Sequence, residues 1–339
     1  MKKLLIFALS GLVLGGLWNL PGHAQKNQKL AQTGFQFLTV VSDARAAAMG
    51  TAVNSLSLES SSLFFNPAGL ADMTSFVDVS ASDNRWIADI HHNTVSLALN
   101  PWRGRYGVLG FTAHSVSYGD KIFGTVVVPE SQSAKGYLDT GDITPSALAV
   151  GVGYAKALSD RFSVGGQVRW VRQDFGNLDV PLTDSTTTRV KYKSNPLAFD
   201  FGTLFKTGFK SLTFGMAIRN FSHEVKYIRE SFELPLVFTL GIHTDLMDWI
   251  PIGGNQHSAI LSIDAKHDRS HAEQICIGVD YRLMSILSCR IGYVSKSKTD
   301  ENAMSYGIGI SWVGLAIDYA YAPYDVFDSV QRVTIRFSH

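Results

Sequence analysis

From Ser75 to the last residue the chain alternates apolar and polar side chains, and this period of two restricts the fold more than any other feature. Successive side chains of a strand point to opposite faces, so each such segment has one dry face and one wet face. Phe162, Val164, Gly166, Val168 and Trp170 fall on one side, with Ser163, Gly165, Gln167, Arg169 and Gln173 on the other. Helical spacing would scatter both sets. The same alternation runs through 77–81, 95–99, 197–205, 212–218, 236–242, 261–265, 275–283, 287–293, 304–312, 315–321 and 333–337. With 106–115 and 144–157, it predicts about fourteen strands, each near the roughly 9–11 residues that cross a bilayer at a tilt. The fold class expected is all-β: a transmembrane antiparallel β-barrel of about 14 strands. Closure is required because an unpaired strand edge in hydrocarbon leaves backbone groups unsatisfied.

Residues 1–24 stand apart from this fold. Lys2 and Lys3, an apolar run over 4–17 and a small-x-small site at Gly22-His23-Ala24 predict a secretory signal peptide that leaves Gln25 as the mature terminus. No cysteine follows the site, which argues against a lipid anchor. After residue 24 no window approaches the roughly 20 apolar residues of a spanning helix, so an exported chain of this kind crosses a membrane with strands or not at all. A net charge of +1 provides no basic footprint for nucleic acid. Cys276 and Cys289 fall on opposite faces of neighbouring strands, so no bridge is expected between them.

The connections support a barrel. Short links at 101–105, 158–161 and 207–210 alternate with long ones at 118–143, 175–195 and 221–233. Short turns belong on the periplasmic side and long loops outside. The link 247–257 breaks the pattern, and its Trp249, Pro251 and two glycines predict a small periplasmic excursion.

The segment 37–73 reads differently. It is rich in small residues and weakly amphipathic. A short helical turn over 44–49 ended by Gly50 is expected, followed by a tight non-helical turn at Asn66-Pro67-Ala68-Gly69. Residues 27–36 read as a loose polar lead-in. About eight strands suffice for side chains to fill a barrel, so fourteen leave a hole, and this segment is the expected stopper. The domain plan is therefore signal peptide over 1–24, lead-in and lumenal hatch over 25–74, and barrel over 75–339.

Ala44-Arg45-Ala46, Ala48-Met49-Gly50 and Asn66-Pro67-Ala68-Gly69-Leu70-Ala71 together resemble the amino-terminal signature of the PorV/PorQ outer-membrane proteins, within the wider FadL-like barrel superfamily. Echoes in the barrel are Phe199-Asp200-Phe201-Gly202, Ile218-Arg219-Asn220-Phe221, Leu234-Pro235-Leu236 and 318–323. The chain departs from the pattern at Thr51, where a second glycine is usual, and at Leu58-Glu59, where an acidic pair is usual. The resemblance implies a fourteen-stranded barrel with an amino-terminal hatch in the outer membrane of a Gram-negative, Bacteroidetes-like cell. It also implies a role in type IX secretion, with exported cargo or other secretion proteins as partners. The alternative it leaves open is FadL-like transport of hydrophobic molecules, for which Gly165-Gly166 is the best trace of a kinked wall.

Hatch residues singled out as structural or partner-binding are Arg45, Gly50, Glu59, Asn66, Pro67 and Gly69. An arginine in a polar lumen can pair bidentately with strand carboxylates, and the Asn66 amide can cap its own turn. Alternation turns Asp200, Lys206, Arg219, Asp264, Lys266, Asp280, Arg282, Arg290, Asp318 and Arg336 toward the lumen, and both signs in similar number point to hatch-to-wall pairing. His91-His92 point opposite ways in a strand and are not expected to share a metal. Catalytic and nucleotide signatures are absent, so neither an enzyme nor a cofactor is expected.

Overall fold

The computed structural model describes residues 33–339 except 120–121, 132, 184–185, 228–229, 250–256, 271, 296–302 and 325–328. The expected signal peptide, the lead-in before residue 33 and most of the 247–257 excursion lie outside the described residues.

Nineteen strands follow in chain order among the described residues: β1 (Val77–Arg85), β2 (His91–Leu99), β3 (Val108–Ser117), β4 (Ile122–Val127), β5 (Tyr137–Ile143), β6 (Ser146–Ala157), β7 (Phe162–Thr183), β8 (Thr186–Ser194), β9 (Leu197–Lys206), β10 (Thr213–Phe221), β11 (Val225–Tyr227), β12 (Glu230–Phe232), β13 (Val237–Asp245), β14 (His257–Asp268), β15 (Gln274–Leu283), β16 (Leu287–Val294), β17 (Met304–Trp312), β18 (Leu315–Ala322) and β19 (Val330–Ser338). Fourteen of them form the wall, each paired antiparallel with its neighbour, and β1 pairs with β19 through Val79↔Phe337 to close the ring. The other five, β4, β5, β8, β11 and β12, build the outer connections. This is the expected closed barrel.

The alternation resolves as the sequence requires. On β1 the inward residues Asp78, Ser80, Ser82 and Asn84 are buried, whereas Val79 faces out. Phe201 and Ile308 are more than half exposed on the outer wall, at 53% and 56%, while Asp200 beside Phe201 is fully buried. A dry exterior around a polar interior is a membrane barrel turned inside out relative to a soluble core. Cys276 is buried inside and Cys289 is exposed outside, and both are free thiols. Among described residues no helix is long and apolar enough to span, so crossing falls to the strands.

Two outer connections, 86–90 and 269–273, are shorter than the alternation of link lengths predicted. The first manages this with Ala88 and Asp89 both at left-handed φ, 54° and 56°. On the opposite rim Leu246–Asp248 makes a single 3-10 turn that leads into Trp249.

One wall irregularity matters for the lumen. Between β9 and β10 the register shifts after Ile218, and Asn220 takes φ 60°. This bulge sets Arg219 and Asn220 inward in succession, where strict alternation admits only one.

Candidate functional site: the hatch and the outer mouth

The hatch begins with a short helix, Ala44–Ala48, whose N-terminal cap is Asp43 accepting from the Ala46 N–H at 2.8 Å. Gly50, at φ 59°, turns the chain at its end. At 66–69 the structure corrects the sequence reading. Pro67–Asp72 is a 3-10 helix with proline in its first turn and Asn66 Oδ1 capping the Ala68 N–H at 3.1 Å. Proline is compatible with a helix start because its missing N–H is unneeded there. Gly69 serves proximity, since a Cβ would meet Ser62 Oγ at 2.8 Å and Leu56 O at 3.0 Å.

The hatch makes one lap of the bore, and wall glycines make room for it. A Cβ on Gly110 of β3 would strike Leu63 and one on Gly165 of β7 would strike Pro67; Gly202 of β9 stands against Asn66 and Gly215 of β10 against Asn54. Gly278 of β15 abuts Met49, Gly292 of β16 abuts Gly50, and Gly307 of β17 abuts Ala48. Two arcs of the hatch share this lap: 63 to 67 lie against β3 to β9, and 54 back to 48 lie against β10 to β17. Ala44 N–H then donates to Thr334 of β19 at 2.8 Å, and Ser60 N–H donates to Asp78 of β1 at 3.0 Å.

Charged groups pin the lap. Arg45 sits 3.1 Å from Asp280, which also takes Arg290 at 3.1 Å and Arg282 at 3.7 Å; Arg290 reaches on to Asp318 at 2.6 Å. Asp264 accepts the N–H groups of Val53 and Asn54 at 2.9 and 2.8 Å. Asn66 donates to the carbonyls of Asn54 at 2.8 Å and Thr203 at 3.1 Å, tying hatch to wall. Arg219 donates to the Phe64 carbonyl. Asp200 faces the wall instead, holding Arg169 at 2.7 Å and the Asn220 N–H at 2.7 Å. Glu59 opens the 3-10 helix Glu59–Phe64 at φ 52°, with Oε2 lacking a hydrogen-bond partner among the described residues.

Three participants escaped the sequence reading. Arg169 completes the Asp200 network, Asn220 donates to the Pro235 carbonyl at 2.8 Å, and His114 meets His92 at 3.0 Å across β2 and β3. Cross-strand partners depend on register, which a linear scan does not reveal. His92 is buried inward and His91 points the other way.

The lead-in is not loose from Thr33 on. Phe35, Phe37 and Leu38 are buried at the outer mouth against inward-facing Val116, Ala149, Val171 and Ala198 of the wall and Val225 and Leu234 of the outer connections. Thr33 forms a parallel bridge with Glu233, and the Gly34 N–H donates to the Glu233 carbonyl at 3.2 Å. The bore beneath is filled. A part-open cavity beside Asp264, Thr51 and Cys276 measures about 20 Å3, room for one water. At Gly165 and Gly166 the wall pairs on both sides, with Ala155 and Tyr154 of β6 and Gly202 and Phe201 of β9.

The family model for "Type IX secretion system protein PorV" matches residues 23–247, which include the hatch and more than half of the wall. The chain belongs to the PorV family. Its place is the outer membrane, and PorV membership places it in type IX secretion with other components of that system. No curated protein matches this PorV-family chain by sequence. Solved structures show where its fold lies. The toluene transporter TbuX of Ralstonia pickettii is 13% identical with TM-score 0.56, covering 86% of this chain and 97% of its own. The monoaromatic hydrocarbon channel CymD is 12% identical with TM-score 0.57 over 89% and 98%. A Pseudomonas aeruginosa FadL homologue is 12% identical with TM-score 0.55 over 88% and 99%. At such identities the likeness concerns the FadL-like barrel alone. Within this PorV-family chain the signature stretches supply Ala48, Met49, Gly50, Asn66 and Pro67 to the contacts with wall glycines, and Asn54 and Leu63 between them supply the rest of those described.

Proposed function

We propose that the chain is a plugged barrel that recognises another protein on the outer side of the membrane during type IX secretion, with exported cargo or a secretion component as its partner. The observation that carries this reading is the combination of a hatch seated in the bore with apolar side chains presented on a connection outside the wall. On the β4–β5 hairpin, a two-stranded sheet separate from the wall, Phe123 is 63% and Val127 83% exposed. Exposed apolar residues on an outer connection suit a protein interface. The reading involves no catalysis, and its chemistry is surface recognition by loops on a rigid scaffold.

The alternative, passage of hydrophobic molecules, draws on the likeness to hydrocarbon channels. Against it stand the ion-paired hatch and the unbroken pairing at Gly165-Gly166. The deciding experiment deletes the gene, measures surface display of type IX cargo, and complements with wild type or a Phe123→Ser, Val127→Ser variant. Loss of display that wild type restores and the variant does not, with exported proteins co-purifying only with wild type, is the expected result. Unchanged display after deletion, together with toluene uptake by vesicles carrying the protein, would overturn the proposal in favour of transport.

A further inference from the structure

The filling of the bore has two parts that differ in how they are anchored. From Val41 inward the hatch adds polar ties to its apolar packing: Leu63, Leu70 and Met73 pack on Ala98, Val108 and Ala155, Asn84 and Arg332 donate to the Val41 carbonyl at 3.2 and 2.8 Å, and the Arg45, Asp264 and Asn66 contacts follow. Outward of Val41 the character changes. Phe35, Phe37 and Leu38 meet the vestibule with rings and methyl groups; Phe35 lies over Phe232 at 5.9 Å and Phe37 sits edge-on to His114 at 5.4 Å. Thr33 forms a parallel bridge with Glu233 here, Gln36 donates to Ser270 at 3.0 Å, and the Leu38 and Val40 N–H groups turn back to the Phe35 and Phe37 carbonyls. Phe35 sits at φ 55°, a left-handed conformation uncommon for a residue with a bulky side chain.

We propose that this vestibule is a peptide-binding site occupied by the chain's own Phe35–Leu38. Its exchange ligand is a short Phe- and Leu-bearing segment of another protein. The seated segment displays the chemistry the site takes. The segment is a one-turn 3-10 helix, Gln36–Thr39, entered through Phe35, and it turns its Phe and Leu side chains to the apolar walls, while Thr33 and Gly34 pair with the Glu233 main chain in a contact that does not depend on the incoming sequence. A hydrocarbon would leave that pairing unused. The fixed portion below Val41 lets the outer segment leave without opening the bore. The inference rests on the secretion reading only for where the incoming segment comes from.

The test uses the full chain in lipid nanodiscs and a fluorescent synthetic peptide, TGFQFLTV, which copies residues 33–40. Tethering gives the native segment an effective concentration in the millimolar range, so wild type should bind the free peptide weakly. Phe35→Ala with Phe37→Ala removes the competing anchors and should tighten binding about tenfold or more, with no competition from a scrambled peptide or from toluene. Folding of the variant is checked by its heat-dependent gel migration. A folded variant that binds no better than wild type, equal binding of the scrambled peptide, or displacement by toluene would each overturn the proposal. Hydrogen exchange on wild type supplies a reading free of any variant. Excess peptide should speed exchange at 34–38 and leave 44–70 unchanged, and no change at 34–38 or equal opening of both stretches would refute exchange at this site. If the peptide binds while cargo display survives gene deletion, the inference stands and the secretion reading falls; the opposite pattern overturns the inference alone.

Discussion

Arg45 of the hatch and Asp280 of the wall meet at 3.1 Å with Asp280 fully buried, and Asp280 is at once the partner of Arg282 and Arg290. Removing one member of such a cluster has unequal consequences. Asp280→Ala leaves three arginines facing the single carboxylate of Asp318, and uncompensated buried charge costs about 3–5 kcal/mol. Arg45→Met leaves Asp280 still paired, so the loss is that of charge-assisted hydrogen bonds, about 2 kcal/mol. Urea unfolding in micelles should therefore rank Asp280→Ala well below Arg45→Met, and the reverse order would show that Arg290 and Arg282 do not share Asp280 as described.

Wall glycines provide a test of the hatch's position. A Cβ on Gly292 would overlap the Gly50 nitrogen and lie 2.5 Å from Ser305 Oγ. Those atoms belong to a hatch turn and a wall strand that are already packed, so Gly292→Ala should cost about 1–3 kcal/mol by overpacking. Gly166 points outward, where the nearest atom to an added Cβ is the Asp200 carbonyl oxygen at 3.5 Å. Gly166→Ala should stay within about 0.5 kcal/mol of wild type. Equal unfolding midpoints for the two would mean that the hatch does not press on the wall.

The outward rows were legible because a lipid-facing strand must repeat the same chemistry at every second residue, and Ile308 or Phe201 cannot be moved one place without exposing a polar neighbour to hydrocarbon. Arg45 and Asp280 were each legible as lumenal charges, but their pairing was not, since 235 positions separate them and only the lap of the hatch joins them. The bulge at Asn220 left no mark in Ile218-Arg219-Asn220-Phe221; it exists in the register against β9. Phe35 was misread for a similar reason. A single large apolar residue between Gly34 and Gln36 has no period, and its burial depends on residues as distant in sequence as Val116, Val171 and Ala198. The Asn66-Pro67 element was recognisable as a fixed bend, yet its 3-10 form was set by contacts with Gly165 and Gly202 that lie outside it.

The two cysteines test the faces directly. Cys289 is exposed on the lipid side and Cys276 is buried inside, where the Thr51 hydroxyl donates to its sulfur at 3.4 Å. In proteoliposomes a lipid-soluble maleimide should label one thiol, assigned to Cys289 by mass spectrometry, and a charged membrane-impermeant reagent should label neither. Unfolding in denaturant should release two reactive thiols. Labelling of native Cys276 by either reagent would shift the register of β15 by one residue and reverse every side chain on it.

Conductance provides the test of closure. Fourteen strands enclose a bore wider than wall side chains can fill, and here the hatch occupies it from β1 round to β19 while the wall stays paired through Gly165 and Gly166. Full-length protein in a planar bilayer should therefore show no stable conductance. Deleting 33–73 should open steady ionic steps, because the exposed interior carries Asp78, Ser80, Asp264 and Asp280 and wets readily. Since the shortened chain could lose the barrel altogether, Asp264→Ala serves as a milder probe. It strips the Val53 and Asn54 N–H groups of their acceptor and should produce brief openings while the barrel still shows heat-dependent migration. Steady conductance by the intact wild-type chain would refute a hatch that seals, and with it the division between a fixed inner stopper and an exchangeable outer segment.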